Sequence, residues 1–195
     1  MIVADIEASG IDNRVHGILS IGAVDFLDPD RKFYGECRIW DGAHVMDEAL
    51  DVNGFSYEEI KSPEKQSEEE LMEDFREWLH ASENHTIAGQ NPHFDSSFLN
   101  MAAERSGIDL GLAHRLIDLH SICFFHMVVM GIEPPVSKKR TELNSDTIMR
   151  YVGIPVEPRP HNALNGALWE AEAFSRLLYE EPLFEDFEEY AIPWA

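Results

Sequence analysis

The chain has 195 residues, with 15 Lys or Arg against 37 Asp or Glu, which gives a formal net charge of −22 at pH 7. Phosphate backbones attract basic surfaces, so this charge argues against extensive duplex binding, although it allows a small cleft that holds divalent cations. No run of about 18 apolar residues predicts a membrane span, and two cysteines are too few for a disulfide framework. The first residues, MIVADI, do not resemble a signal peptide, so we expect a reduced, cytoplasmic protein.

The first part of the chain predicts three strands in succession. Residues 1–6 form an apolar, β-prone run, and residues 17–26 form a second strand. A turn at residues 28–30 then leads to a third strand at residues 32–40. Three strands joined by short turns favour an antiparallel meander.

Helices and strands alternate along the rest of the chain. The predicted elements are short helices at 47–52 and 56–60, an amphipathic helix at 67–80, a strand at 86–89, a helix at 96–106, a strand at 116–119 followed by an apolar helix, a basic loop at 137–140, a helix at 142–152 and a last helix from about 160 to 179. This order predicts an α/β fold with a central mixed five-stranded sheet flanked by helices. We expect one domain over residues 1–182 and a solvated acidic, aromatic tail over residues 183–195.

Two carboxylates stand at the end of the first predicted strand. Asp5 and Glu7 are separated by one residue, so both project from the same face of the strand. Adjacent carboxylates repel each other, and a cation between them removes that repulsion. Taken alone, the pattern also fits a strand that runs out into solvent.

Two later segments place polar side chains at predicted helix starts. Asp95 lies in NPHFDSSFL (residues 91–99), just before a predicted helix, where its side chain could simply cap the backbone. His161 lies in PHNAL (residues 160–164) at the start of the last helix, where a lone histidine is more often a surface or capping residue.

The order of the three segments resembles the DEDDh-type 3′–5′ exonucleases, which include proofreading exonucleases, ribonuclease T and oligoribonuclease. The matching motifs are Asp-x-Glu on the first strand, Asn-x-x-Phe-Asp-x-x-Phe-Leu in the middle of the chain, and His-x-Ala-Leu near its end. Supporting matches are Gly10-Ile11, residues 18–23 and Asp118, and the resemblance covers about residues 1–178. It implies a ribonuclease H-like fold and hydrolysis of single-stranded DNA or RNA from the 3′ end.

The resemblance also implies a two-metal mechanism with Mg²⁺ or Mn²⁺. Asp5 would bridge both ions, and Glu7 would bind the ion that activates water and face the terminal nucleotide. Asp95 would hold the second ion, largely through water. His161 would be the general base, a role that suits a side chain that ordinarily titrates near neutral pH.

The resemblance breaks at the fourth carboxylate, because the family has Asp five residues after the histidine and this chain has Gly166. The site is then disabled, or Asn165 supplies a neutral oxygen one residue out of register, or Glu170 takes over one turn along the same helical face. We favour Glu170 as a metal ligand, since helical side chains lean towards the N-terminus. Glu172 is expected to be solvent exposed. A disabled site would make the protein a nucleic-acid-binding pseudo-exonuclease.

The resemblance also predicts contacts to the substrate. Ile11 would wedge against the terminal bases, while Ser9 and Gly10 would bring backbone N–H groups to the 3′-hydroxyl. The remaining candidates for substrate binding are Asn91, Phe94, Lys139, Arg140 and Arg159. The alternatives to substrate binding are that Phe94 packs in the core and that residues 138–140 form a solvated basic loop.

The low number of basic residues predicts a footprint of a few nucleotides, with trinucleotides bound as tightly as longer strands. No residue distinguishes DNA from RNA, because that choice depends on how a cleft treats the 2′-hydroxyl. A homodimer is also possible, with Trp194 and the tail as candidate interface.

Overall fold

A five-stranded mixed sheet forms the centre of the computed structural model, which describes residues 1–195. Its strands are β1 (Ile2–Ala8), β2 (Ile18–Asp25), β3 (Asp28–Glu36), β4 (Ile87–Gly89) and β5 (Ile117–Asp118). The spatial order is β3-β2-β1-β4-β5, with antiparallel pairing from β3 to β1 and parallel pairing from β1 to β5. The predicted α/β fold with a central mixed five-stranded sheet is confirmed.

Six helices flank the sheet: α1 (Asp47–Asn53), α2 (Glu68–His80), α3 (His93–Ser106), α4 (Leu119–Val129), α5 (Ser145–Val152) and α6 (Ala163–Tyr179). Two 3₁₀ turns lie at Glu59–Lys61 and Glu185–Phe187, and a small hairpin joins β6 (Val136–Ser137) to β7 (Arg140–Thr141). None of the helices has both the length and the apolar character that crossing a membrane requires.

The two faces of β1 belong to different parts of the core. Ile2, Ala4, Ile6 and Ala8 pack in the cluster that contains α2 and α3. Val3 packs in the cluster that contains α4, α5 and α6. Because strand side chains alternate between faces, Asp5 and Glu7 share the Val3 face and point towards α6.

The turn between β2 and β3 lies at Phe26 and Leu27 rather than at residues 28–30. Asp28 already pairs with Asp25, so β3 begins four residues earlier than predicted and ends at Glu36 instead of residue 40. Pro29 is tolerated there because β3 is an edge strand, where a proline can face solvent without breaking the ladder.

Two helix starts differ from the prediction at the residues that matter for the site. Helix α3 begins at His93 rather than at residue 96, so Asp95 lies inside its first turn and does not precede it. Helix α6 begins at Ala163 rather than at residue 160, because the Asn162 side chain accepts hydrogen bonds from two backbone N–H groups and caps the helix there. His161 therefore lies outside the helix.

Three other predicted boundaries shift for local reasons. The helix predicted at 56–60 is only the 3₁₀ turn at Glu59–Lys61. The helix predicted at 142–152 begins at Ser145, because the side chain of Asn144 caps it. The loop predicted at 137–140 is the β6–β7 hairpin.

Glu172 is fully buried, contrary to the expectation that it is exposed. Its carboxylate lies 2.6 Å from the Arg176 guanidinium and also accepts the backbone N–H of Leu183 at 2.8 Å. Arg176 in turn donates to the backbone carbonyl of Phe187, a buried residue. The ion pair thus fastens residues of the predicted solvated tail onto α6, so this segment packs on its own chain.

Candidate active site

The polar residues singled out in the sequence gather at one edge of the sheet. Strands β1, β4 and β5 are parallel, so their carboxyl ends meet there. Asp5 and Glu7 lie near the end of β1, Gln90 follows β4, and Asp118 ends β5. The β1–β2 register shifts directly after Glu7, which ends regular pairing at this point. Open α/β sheets bind ligands at such edges.

Helix α6 lies directly on the sheet beside Asp5. Gly22 pairs with Asp5 across β1 and β2, and a Cβ atom on Gly22 would overlap the backbone of Ala163 in the first turn of α6. Further along the helix, a Cβ atom on Gly166 would overlap Oδ2 of Asp5. The Asp5 carboxyl group therefore fills the space from which a side chain at position 166 would emerge.

Glu170 is buried one turn beyond Gly166 and reaches the same edge. Its Oε2 atom has no hydrogen-bond partner and lies 2.9 Å from the position of a Cβ atom on Gly89, so it occupies space that the absence of a side chain at Gly89 leaves open. A buried carboxylate oxygen without a partner is costly, and a cation would satisfy it.

Asp95 joins the cluster from α3, on the other face of the sheet. Its Oδ1 atom accepts the backbone N–H of Ile6 at 3.2 Å, between the two carboxylates of β1. The side chain is almost completely buried. Asp95 therefore links the start of α3 to β1, instead of acting as the N-cap residue of the helix.

Burial and mutual repulsion raise the pKa values of the clustered carboxyl groups. Burial, followed by the charges of Glu157 and Asp95, raises the pKa of Glu7 to about 8. Burial raises the pKa of Asp95 to about 7, against two backbone N–H groups that lower it. Burial and then the neighbouring carboxylates hold the pKa values of Asp5 and Glu170 well above their ordinary range. Without a cation, these carboxyl groups therefore keep their protons to a higher pH than ordinary carboxyl groups do.

The carboxylates of the cluster suit hard divalent cations, although their side chains are not arranged around a common metal position. No three acidic or histidine side chains converge on one point as they stand. The cluster nevertheless offers carboxylate oxygens, the ligands that Mg²⁺ and Mn²⁺ prefer, together with the unpartnered Oε2 of Glu170. Cation binding would require these side chains to adjust, and it would relieve the repulsion that raises their pKa values.

His161 lies beside a glutamate that the sequence analysis missed. The backbone N–H of His161 donates to the carbonyl of Val52 in α1, and its imidazole is one-third exposed. Nδ1 lies 3.7 Å from Oε2 of Glu157, while Oε1 of Glu157 accepts the backbone N–H of Asn162 at 3.1 Å. The available signal was Glu157 itself, four residues before the histidine in a segment whose prolines fold the chain back.

The loop after β1 holds the residues predicted to meet the terminal nucleotide. Ser9 is buried, and its hydroxyl group donates to the backbone carbonyl of His44, so the side chain supports the loop. The backbone N–H of Ser9 already donates to the Gly17 carbonyl and is therefore not free to bind a substrate. A Cβ atom on Gly10 would overlap the His16 ring, which gives a packing reason for that glycine. Ile11 is 74% exposed and projects from the loop.

The other predicted contacts lie on separate elements. Asn91 has a positive φ of 57° and donates its N–H to Asp118, next to the site. Phe94 is partly buried against Phe98, with ring centroids 4.8 Å apart. Lys139 and Arg140 are exposed on the β6–β7 hairpin, and Arg159 is exposed in the loop before His161.

The sequence of the chain is similar to that of ribonuclease T. No protein-family model matches the chain. Ribonuclease T of Haemophilus influenzae is 25% identical over 122 residues, which cover 55% of this chain and 52% of that protein. The chain thus spans about half the length of the ribonuclease T chains it matches.

Several solved nucleases have a similar fold. E. coli exonuclease I in complex with a dA16 oligonucleotide superimposes with a TM-score of 0.72 and 15% identity, over 92% of this chain and 40% of that one. Cell-death related nuclease 4 gives 0.70 and 18%, over 93% and 64%. The nuclease domain of 3′hExo, a DEDDh family member bound to rAMP, gives 0.68 and 16%, over 94% and 93%. At such identities the likeness establishes the fold, and the ribonuclease H-like prediction is confirmed.

The fold, the ribonuclease T similarity and the order of the acidic and histidine residues along the chain agree with one another. The chain is therefore similar in sequence to ribonuclease T, and it shares its fold with exonuclease I and with the nuclease domain of a DEDDh family member.

Proposed function

We propose that the protein is a divalent-metal-dependent 3′–5′ exonuclease acting on single-stranded DNA or RNA. The observation that carries the proposal is the gathering of Asp5, Glu7, Asp95 and Glu170 at one sheet edge, although they span 166 positions of the chain. Four repelling carboxyl groups destabilise a fold unless they bind something positive. The similarity to ribonuclease T and to an exonuclease bound to an oligonucleotide supports this class of reaction.

The four carboxylates would hold two Mg²⁺ or Mn²⁺ ions, with Glu170 in place of the carboxylate missing at Gly166. When bound, such ions polarise the phosphoryl group and stabilise the charge that develops on it during hydrolysis. The unpartnered Oε2 of Glu170 supports this replacement, as does the Asp5 carboxyl group that occupies the space above Gly166.

His161 would accept the proton of the attacking water at Nε2. Glu157 beside Nδ1 favours the tautomer with its proton on Nδ1, which leaves Nε2 free to accept. The partial exposure of the ring lets water reach it. Ile11, exposed at the loop after β1, would pack against the terminal base.

The protein's partner in this proposal is a short stretch of a single strand, bound in a reduced, cytoplasmic environment. The net charge of −22 supports a short footprint. Cys37 and Cys123 are both free and buried, which supports a reducing compartment. A homodimer through Trp194 and the tail remains part of the proposal, although the Trp194 ring stacks on Tyr151 of its own chain, with ring centroids 5.0 Å apart.

The test uses single-stranded DNA and RNA oligonucleotides labelled at the 3′ or the 5′ end, with Mg²⁺, Mn²⁺ or EDTA. We expect 5′-labelled strands to give a ladder that shortens from the 3′ end, and EDTA or the variant His161→Ala to abolish it. His114→Ala, which changes an exposed histidine before β5, is the matched control and should cleave normally. Shortening from the 5′ end would contradict the proposal.

The second candidate function is that of a nucleic-acid-binding pseudo-exonuclease, because Gly166 stands where the exonucleases have their last Asp. The same assay separates the two functions. Strands that are bound but remain intact with every metal would favour the pseudo-exonuclease and refute the proposed activity.

A further inference from the structure

A polar cavity of about 530 Å³ adjoins the candidate active site. Gln90 and Asn91 after β4, Asp118 at the end of β5 and the β6–β7 hairpin line it, and Leu143 is the only hydrophobic residue in the lining. Oε2 of Glu170 lies 2.9 Å from the position of a Cβ atom on Gly89, the residue before Gln90, so the cavity lies beside the carboxylate cluster. Its size falls within the range of ligand pockets, and its lining suits a polar ligand.

The hairpin that walls this cavity carries two lysines in an unfavourable backbone conformation. Lys138 and Lys139 form its two-residue loop, with φ values of 49° and 64°. Positive φ at both positions is the mark of a type I′ turn, which favours Asn-Gly because the left-handed region strains other side chains. Lysine is a poor choice for this turn, so a role of the side chains explains its presence better than the backbone does.

The charge of the hairpin also stands out. Lys138, Lys139 and Arg140 are consecutive, exposed and absent from every ion pair of the structure. The chain has only 15 basic residues and a net charge of −22. The cavity wall also contains two carboxylates, Asp118, which accepts the Ser121 hydroxyl at 2.7 Å, and the exposed Glu142, and neither forms an ion pair with the hairpin. The hairpin therefore offers unneutralised positive charge to an anionic ligand.

We propose that this cavity seats the strand on the 5′ side of the scissile bond, with the hairpin binding its backbone phosphates. The inference rests on the proposed function, since it takes the 3′ end to lie at the carboxylate cluster. The side chain of Asn91 and the hydroxyl groups of the wall suit the polar edges of unstacked bases and sugars. The hairpin then supplies most of the salt-dependent affinity of a chain that is otherwise acidic.

Two double variants of the full chain separate charge from turn geometry. Lys138→Asn with Lys139→Gly removes both charges and gives the turn its preferred residues. Lys138→Gln with Lys139→Gln removes the charges and keeps the strain. Arg76→Gln with Arg115→Gln, on α2 and before β5, removes the same charge away from the cavity. All are made in the His161→Ala background, so that strands stay intact during the measurement.

Affinity for a fluorescent tetranucleotide is measured by anisotropy over a range of salt concentrations, and a nucleoside 5′-monophosphate is tested by competition. We expect both hairpin variants to bind the tetranucleotide about tenfold more weakly. The slope of log K against log salt should fall by roughly 1.4, about 0.7 for each lost phosphate contact. Affinity for the monophosphate should change less than twofold, and the Asn-Gly variant alone should unfold at a higher temperature.

Unchanged tetranucleotide affinity in either hairpin variant would overturn the inference. An equal loss in the Arg76 and Arg115 control would do the same, because net charge would then explain the effect. Binding is measured without cleavage, so a failure here differs from a failure of the proposed function. If the wild-type chain cleaves strands but the hairpin variants bind them normally, only the proposed role of the hairpin is refuted. If the hairpin variants lose affinity but the wild-type chain does not cleave, only the proposed exonuclease activity is refuted.

Discussion

At the scale of single residues, Glu157 and His161 form a pair that the sequence pattern does not predict. We predict that Glu157→Gln lowers kcat about 10- to 100-fold with little change in KM, because the variant loses the charge that orients the imidazole but touches no substrate. Steady-state kinetics on a labelled strand measures both constants. Glu157→Asp should recover part of the loss, and NMR of the His161 ring should show a changed tautomer in Glu157→Gln.

A purely structural role for Glu157 would leave the tautomer unchanged. A rise in KM with normal kcat would instead mean that this glutamate contacts the strand. Either result would contradict the positioning role.

The raised carboxyl pKa values couple stability to pH. Glu7 has a pKa of about 8 and Asp95 of about 7 in the folded chain, whereas both titrate near 4 when unfolded. Between these values the folded state binds more protons, so its free energy of unfolding falls as pH rises, by about 1.4 kcal/mol per pH unit for each group. Urea unfolding of the metal-free chain from pH 5 to pH 8 measures this slope.

Glu7→Gln should reduce the slope of the free energy of unfolding against pH by the contribution of one proton, about 1.4 kcal/mol per pH unit. Mn²⁺ should stabilise the protein more at pH 8 than at pH 6, because cations compete with protons for the same oxygens. A wild-type stability that rises with pH over this interval would contradict the buried, repelling cluster.

At the scale of elements, the site depends on how closely α6 approaches β2. We predict that Gly22→Ala destabilises the protein by about 1–3 kcal/mol and lowers activity, because the new Cβ atom forces the first turn of α6 off the sheet. That movement displaces both Glu170 and His161. Thermal unfolding and strand cleavage measure the two effects.

Gly17→Ala is the matched control, since its Cβ atom would meet a side chain of Trp40 at 3.3 Å and can be accommodated by a small shift. Normal activity in Gly22→Ala would mean that the position of α6 does not govern the site.

The sequence predicted the elements whose periodicity comes from burial. Strands β1 and β2 follow apolar runs, and α2 begins where Ser67 and Glu70 form a capping box. The β6–β7 hairpin was missed because its loop has none of the Asn or Gly residues that mark such turns. The start of β3 was missed because Asp28 and Pro29 are typical turn residues that an edge strand tolerates.

The candidate site follows the same division. Helical spacing alone put Glu170 on the face of Gly166, and the structure buries both at the cluster. Glu157 depends on a proline-rich loop that folds back to Asn162, a contact that no periodicity encodes. The hydrogen bond from Ile6 to Asp95, 89 residues apart, also arises only from packing across the sheet.

At the scale of the whole molecule, a buried ion pair joins the C-terminal segment to the core. We predict that Arg176→Met lowers the free energy of unfolding by about 3–5 kcal/mol, because it leaves Glu172 charged, buried and unpaired. The loss should be measurable by urea unfolding. Arg150→Gln breaks an Arg–Asp pair of the same helical spacing that is exposed, and it should cost less than about 1 kcal/mol.

Equal effects of the two substitutions would contradict this account of the tail. The burial of Glu172 also shows why its exposure was predicted wrongly. Its partners Arg176 and Leu183 are close to Glu172 in sequence. The packing of Phe187 against α6, which helps to bury Glu172, is a tertiary contact that the sequence pattern does not indicate.

The most direct measurement is the rate of 3′-end cleavage by the wild-type chain and by Glu170→Gln, under single turnover with Mn²⁺. If Glu170 replaces the carboxylate missing at Gly166, the wild type cleaves and Glu170→Gln is at least about 100-fold slower. Glu73→Gln, on the exposed face of α2, should match the wild type, and all three should give the same circular dichroism spectrum. A Glu170→Gln variant as fast as the wild type, or a wild type inert with Mn²⁺, would contradict the account.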